Sequence, residues 1–309
     1  MQQTMNSLVK KKKNCSFKSL AAKILLTSFA ILPLILARRI GRLLGGIFWL
    51  FGSRSRHVTL RNIDLAYGDL AHEGRACLAR KSFISTTELM AEMGWVWLRP
   101  WKEVQGRIKK VFGSELITDA LRTGRGVVVL APHLGNWEVL GLHLGLLGSV
   151  VSLYEPPKLE GLGDFISTAR QKSGAKLVPT NKRGLASLIV SLREGHIAGI
   201  LPDQVPTQAS SGENADFMGI PCFTGTLASN IIRRTNALAV FGFAQRTKDG
   251  FTIRYLAASD SVYSKDTLVS VTAVNTGVEK CIGFCPDQYQ WEYKRFRTYP
   301  REISEVYQK

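Results

Sequence analysis

The chain has 309 residues, 45% apolar and 21% charged, proportions near globular averages that exclude disordered, collagenous and low-complexity classes. At about 150 residues per domain this allows one large domain or two small ones. Lys and Arg number 41 against 24 Asp and Glu, a net charge of +17, which calls for a polyanionic partner such as nucleic acid, a phosphorylated substrate or an anionic membrane.

The position of the charge separates these partners. Met1 to Arg61 carries six Lys and six Arg with no acid before Asp64, so this stretch supplies +12 of the +17. From Asn62 to Lys309 there are 29 basic and 24 acidic residues, a balance of +5 that is ordinary for an enzyme and gives nucleic-acid binding no support. After Lys10 to Lys13 comes an apolar run, Leu20 to Ala37, broken only by Lys23, then Arg38, Arg39 and Arg42, then a second run, Leu43 to Phe51. Eighteen helical residues reach roughly 27 Å, just short of a hydrocarbon core of about 30 Å. A span is marginal, and interfacial attachment of residues 1–51 fits as well, with the cations meeting an anionic leaflet. No AxA-like site precedes Arg38 and a second apolar run follows, which argues against a cleaved signal peptide. Cations flank both ends of the run, so they set no topology.

Residues 62 to 101 are rich in helix formers and aromatics, including Trp95, Trp97 and Trp101, and predict helices leading in from the membrane, with a break at Pro100. From Gly113 onward short apolar runs alternate with helical patterns. Strands are predicted at Gly126–Ala131, Val150–Tyr154, Lys176–Pro179, Ile197–Leu201, Ala239–Ala244 and Phe251–Leu256. Helices are predicted near Trp137–Leu147, Gly161–Ser173, Gly184–Glu194 and Thr224–Arg234. The alternation predicts an α/β fold with a mostly parallel central sheet flanked by helices, its strands apolar throughout as strands covered on both faces are. No Pro/Gly/Ser-rich linker divides residues 113–309, so residues 52–309 read as one catalytic domain behind the anchor. Five cysteines stand at 15, 77, 222, 281 and 285. The CxxxC of Cys281 and Cys285 has no second pair and no nearby His, so reduced thiols are expected and no metal site.

The densest chemical signal is APHLGNWEVLG, residues 131–141, directly after the strand GVVVLA. Ligands of α/β sheets bind beyond the strand carboxyl ends, which is where His133 falls. On a continuous helix His133 and Glu138, five residues apart, would diverge by roughly 140°. Gly135 permits a tight turn and Asn136 is a good N-cap, so His133 is predicted in the loop with Glu138 in the first helical turn, reaching back to one ring nitrogen. A carboxylate there fixes the tautomer and raises basicity, as a general base near neutral pH requires. HExxH, GxSxG, P-loop and strand-linked GxGxxG patterns are missing, so metalloprotease, serine-hydrolase and nucleotide-cofactor chemistry lack their marks.

HxxxxE within PHLGNWE, after an apolar strand, resembles the lysophospholipid acyltransferase superfamily, and specifically the late acyltransferases of bacterial lipid A biosynthesis. Further segments match in order: Tyr154 to Pro156, Arg170 before Gly174, LPDQ at Leu201–Gln204, FMGIPCFTGT at Phe217–Thr226 and PDQYQWEYKRFR at Pro286–Arg297. The resemblance spans roughly residues 20 to 300. It departs at Glu155, where the family often has Arg, at Val205, where it has a second acid, and at Met218, where it has Phe.

The resemblance implies an O-acyltransferase without cofactor that moves a fatty acyl chain from acyl carrier protein to a hydroxyl of a lipid A precursor. It places that enzyme on the cytoplasmic face of the bacterial inner membrane. His133 would take the hydroxyl proton, Glu138 would orient His133, and Arg170 would supply positive charge to the oxyanion or to an acceptor phosphate. Asn136, Tyr154, Asp203, Gln204, Phe217, Gly219 and Thr224 would bind substrate, Asp203 by holding polar groups of the acceptor. Two other readings stand beside it: transfer to another membrane lipid such as a lysophospholipid or glycerol phosphate, and a catalytically silent, membrane-tethered lipid-binding protein.

Overall fold

Proline 33 divides the first apolar run. It has no N–H to donate and it disfavours helix at Leu32, so the run forms two helices, α1 (Phe17–Ile31) and α2 (Leu34–Leu50). The structure, a computed structural model, describes residues 17–157, 161–298 and 305–307; Lys10 to Lys13 and Cys15 lie outside the described residues. Among those described, no helix is long and apolar enough to cross a membrane, which corrects the single helical run expected over Leu20–Ala37.

Three helices follow: α3 (Arg54–Ala66), the long α4 (His72–Leu98) and the short α5 (Trp101–Gln105), which starts at Pro100. Glycines bring α1 and α2 close to α4. A Cβ at Gly94 would lie 2.2 Å from the Leu26 carbonyl oxygen, and one at Gly45 would lie 2.1 Å from Thr87 Oγ1. The arginines read as flanking the membrane run separate here. Arg39 is exposed, while Arg38 is 1% exposed and donates to Glu92 of α4 at 2.5 Å and to the carbonyls of Thr247 and Gly250.

The α/β part holds β1 (Ile108–Phe112), α6 (Glu115–Arg122), β2 (Val127–Leu130), α7 (Trp137–Leu147), β3 (Val150–Tyr154) and α8 (Gly163–Gln171). It continues with β4 (Lys176–Pro179), α9 (Lys182–Arg193), β5 (Ile197–Ile200), the hairpin β6 (Gly212–Phe217) and β7 (Ile220–Gly225), and α10 (Leu227–Thr235). The last elements are β8 (Leu238–Thr247), β9 (Gly250–Ala257) and α11 (Thr267–Ile282). Seven strands make one sheet in the order β1-β9-β8-β2-β5-β3-β4, parallel except where β8 meets β9. The mostly parallel sheet flanked by helices is therefore present.

Strand β2 sits between β5 and β8 with all four side chains buried. Alternate residues enter different cores. Val128 and Leu130 join the layer with Leu188, Ile232 and Val278, whereas Val127 and Val129 join Ile117, Val139 and Leu142. That explains a strand with no polar position. The hairpin β6–β7 turns on Met218 and Gly219 with φ of 53° and 72°, a two-residue turn with both central residues left-handed.

Candidate functional site

The register of two central strands assembles the site. Leu130 of β2 pairs with Ile200 of β5, parallel and side by side, and His133 and Asp203 each stand three residues beyond that pair. Both strands therefore deliver a side chain to the same carboxyl edge. His133 Nδ1 meets Asp203 Oδ1 at 2.8 Å, and Asp203 Oδ2 accepts the His133 backbone N–H at 2.9 Å. Asp203 is 3% exposed. Burial disfavours its charge, but the His133 ring and the N–H bond outweigh burial and hold the carboxyl below the ordinary carboxylate range. With Asp203 as acceptor, Nδ1 carries the ring hydrogen, and the lone pair sits on Nε2, which the Gln204 amide Nε2 faces at 3.1 Å. The edge of Trp137 lies against the imidazole at 4.9 Å between centroids.

The carboxylate on His133 is thus Asp203 and not Glu138, a correction to the dyad expected from HxxxxE. Glu138 starts α7 as predicted, but it turns to α8. Arg170 donates from Nη2 at 2.5 Å and from Nε at 3.0 Å, a bidentate pair whose carboxylate is 5% exposed. Burial alone would lower the Arg170 pKa; the charge and hydrogen bonds of Glu138 hold it above the ordinary value. Tyr154 lies under the guanidinium at 5.6 Å and donates its hydroxyl to the Gly163 carbonyl at 2.8 Å, so it buttresses Arg170. Trp137, Glu138 and Arg170 border a mostly apolar cavity of about 90 Å³ that runs between α7 and the sheet past Leu140, Leu144, Leu153, Leu177 and Leu201.

The loop that carries His133 is tied on several sides. Gly135 has φ of 63°, and a Cβ there would lie 2.1 Å from the Ala244 carbonyl oxygen, so only glycine passes this close to β8. Gly135 N donates to Gln288 O, Asn136 N to Ala244 O and Gln290 N to His133 O. Asn136 is the predicted N-cap, accepting from Val139 N at 3.1 Å. Its amide nitrogen donates to Glu92 at 2.8 Å and the residue is completely buried, so it clamps the loop. Arg246 reaches the other side, donating to the Gly135 carbonyl at 2.9 Å and to Ser85. Glu92 escaped the reading of the sequence. Its one signal was a single acid inside MAEMGWVW, an apolar stretch where a buried charge must find partners.

Of the other residues expected at the site, Gln204 faces the His133 ring, and Asp203, expected to hold polar groups of the acceptor, pairs with His133. Phe217 and Thr224 are completely buried. Phe217 stacks with Tyr289, Phe296 and the Arg295 guanidinium, and Thr224 accepts from Arg295 at 2.7 Å. Gly219 occupies the tip of the β6–β7 hairpin. Phe217 and Thr224 thus belong to the core of the domain, and Gly219 is exposed.

Residues 10–298 match the family model described as bacterial lipid A biosynthesis acyltransferase. Among curated proteins the chain is similar to the lipid A biosynthesis lauroyltransferase of Escherichia coli, 25% identical over 89% of this chain and 90% of that one. The lipid A biosynthesis palmitoleoyltransferase of the same organism is 24% identical over 87% of each chain, and its myristoyltransferase is 25% identical over 86% of this chain and 81% of that one. A parallel-sheet edge bearing a paired histidine beside an apolar cavity and a buried Glu–Arg pair, together with a family match along nearly the whole chain, leads to one assignment: the chain belongs to the bacterial lipid A biosynthesis acyltransferase family.

Proposed function

We propose that this enzyme transfers a fatty acyl chain from a thioester on acyl carrier protein to a hydroxyl of a lipid A precursor, working at the cytoplasmic face of the bacterial inner membrane. The observation that carries the reading is the His133–Asp203 pair at the sheet edge next to the apolar cavity bordered by Glu138 and Arg170. His133 Nε2 takes the proton of the acceptor hydroxyl as its oxygen attacks the thioester carbonyl, and Asp203 holds the ring and balances the imidazolium. Arg170, aimed by Glu138, donates to the oxyanion of the tetrahedral intermediate. Collapse expels the thiolate, which takes up the proton from His133, so no acyl-enzyme is needed. The cavity between α7 and the sheet receives the apolar acyl chain. Attachment to the membrane is supported by the exposed Leu20, Ile24, Leu25 and Ile31 of α1 and Leu43, Leu50 and Phe51 of α2 or its end.

Purified enzyme mixed with acyl carrier protein thioesters and a lipid A precursor is expected to yield a product heavier by one acyl chain in mass spectrometry. Transfer to a lysophospholipid but not to the precursor sinks the acceptor assignment. No transfer to either, from a folded protein, sinks the catalytic one.

A further inference from the structure

Behind the His133 loop, on the side away from the apolar cavity, α2, α4, the β8–β9 turn and the segment Asp287–Gln288 enclose a second cavity of about 320 Å³. Four cations line it, Arg42, Lys81, Arg246 and Lys248, against two carboxylates, Glu88 and Asp287, which leaves a surplus of two positive charges. Arg246 is 7% exposed and forms the inner wall. Arg42, half exposed, is paired with both oxygens of Glu88 at 2.9 and 3.0 Å. Lys81 and Lys248 are exposed at the rim. A lipid phosphate, with one negative charge as a diester and up to two as a monoester, offsets this surplus in part or in full, and a pocket that joins a buried guanidinium to exposed ammonium donors suits it.

The surface beside the pocket says which phosphate. At 100° per residue, Leu36, Leu43, Ile47 and Leu50 fall within about 60° of one another on α2, and Arg42 lies about 80° beyond the Leu50 edge of that stripe. The four are 43%, 65%, 40% and 78% exposed. A basic pocket next to an exposed apolar stripe matches a molecule that joins a phosphate to hydrocarbon. We infer that this cavity is a binding site for the phosphate headgroup of an anionic membrane lipid, distinct from the acyl-transfer site and separated from it by the loop that Arg246 and Gln288 hold. The inference rests on the interfacial placement of α1 and α2 proposed above.

The test uses the full chain and three forms: native, Lys81→Gln/Lys248→Gln, and a control, Lys176→Gln/Lys182→Gln, that removes the same charge from the region of β4 at the opposite edge of the sheet. Flotation with phosphatidylcholine vesicles, with and without phosphatidylglycerol, is measured for each. With two lysines near an anionic surface removed, the pocket variant is expected to lose about thirtyfold of the preference for phosphatidylglycerol, while the control stays near native and all three bind phosphatidylcholine alike. A pocket variant with native preference, or a control that falls as far, overturns the site. Native protein that binds both vesicles equally overturns the site alone; native protein that binds neither overturns the interfacial placement with it. Inorganic phosphate titrated without vesicles gives the last arm: a thermal shift that the pocket variant loses, with no vesicle preference, means a free phosphate and overturns the lipid.

Discussion

His133 is usable as a base because its two ring nitrogens have different partners. Asp203 keeps the hydrogen on Nδ1, and Nε2 keeps its lone pair toward Gln204. His133→Ala is expected to lose on the order of 10² to 10⁴ in catalytic efficiency with little change in melting temperature. Asp203→Asn should lose activity as well, and the double variant should be scarcely worse than His133→Ala, since residues acting as one unit do not add. Glu138→Gln should instead be non-additive with Arg170→Ala, and Arg170→Lys should fall between native and alanine because an ammonium lacks the two-pronged donor set. Rates of the five single variants and of the three double variants His133/Asp203, Glu138/Arg170 and Glu138/His133 decide it; coupling of Glu138 with His133 and not with Arg170 would restore the dyad that HxxxxE suggested. A second histidine titrates differently. His143, 5% exposed and paired with the Tyr255 hydroxyl at 2.8 Å, is pushed down by burial to about 4. The unfolded chain therefore binds a proton near pH 5 that the native state does not, and stability should fall by about 3 kcal/mol as pH drops from 6.5 to 4. Urea unfolding across that range, compared with His143→Gln, checks it, and an unchanged slope in the variant would assign the pH dependence elsewhere.

At the scale of elements, buried charge joins the first helices to the catalytic loop. Arg38 of α2 meets Glu92 of α4, Glu92 meets Asn136 at the start of α7, and Arg246 of β8 holds Gly135. Removing one partner leaves the others desolvated and unpaired, which costs about 3 to 5 kcal/mol. Arg38→Ala and Glu92→Ala are each expected to lower stability by that order in denaturant unfolding, and a loss under 1 kcal/mol would mean that water reaches the network. Gly135→Ala sets the left-handed φ and the Ala244 carbonyl against a methyl group, so activity should drop through displacement of His133. Of these pieces, the turn at Gly135 and the cap at Asn136 were legible in sequence, because both are local and depend on residue type. Glu92 was hidden, because its partners stand 44 and 54 residues away.

Across the whole molecule, the apolar leader both packs and faces outward. Ala37, Gly41 and Gly45 of α2 are buried against α4 while Leu43 and Leu50 are exposed. Deleting residues 1–51 removes Arg38 along with the apolar surface, so the truncated protein is expected to misfold and aggregate, not to appear as a soluble enzyme. Recovery of a monodisperse, cooperatively unfolding protein after the deletion would show that the helices are dispensable. The sequence by itself determined the α/β class, the central strands, the loop–cap–helix grammar around His133 and the family, because apolar periodicity, turn chemistry and ordered motifs are properties of neighbours along the chain. Only the tertiary structure decided which carboxylate serves which cation. That choice depends on β2 lying in register beside β5, which brings Asp203 to His133 across 70 residues and leaves Glu138 to face Arg170. Strand order and register come from packing both sheet faces at once, a condition that no single segment carries.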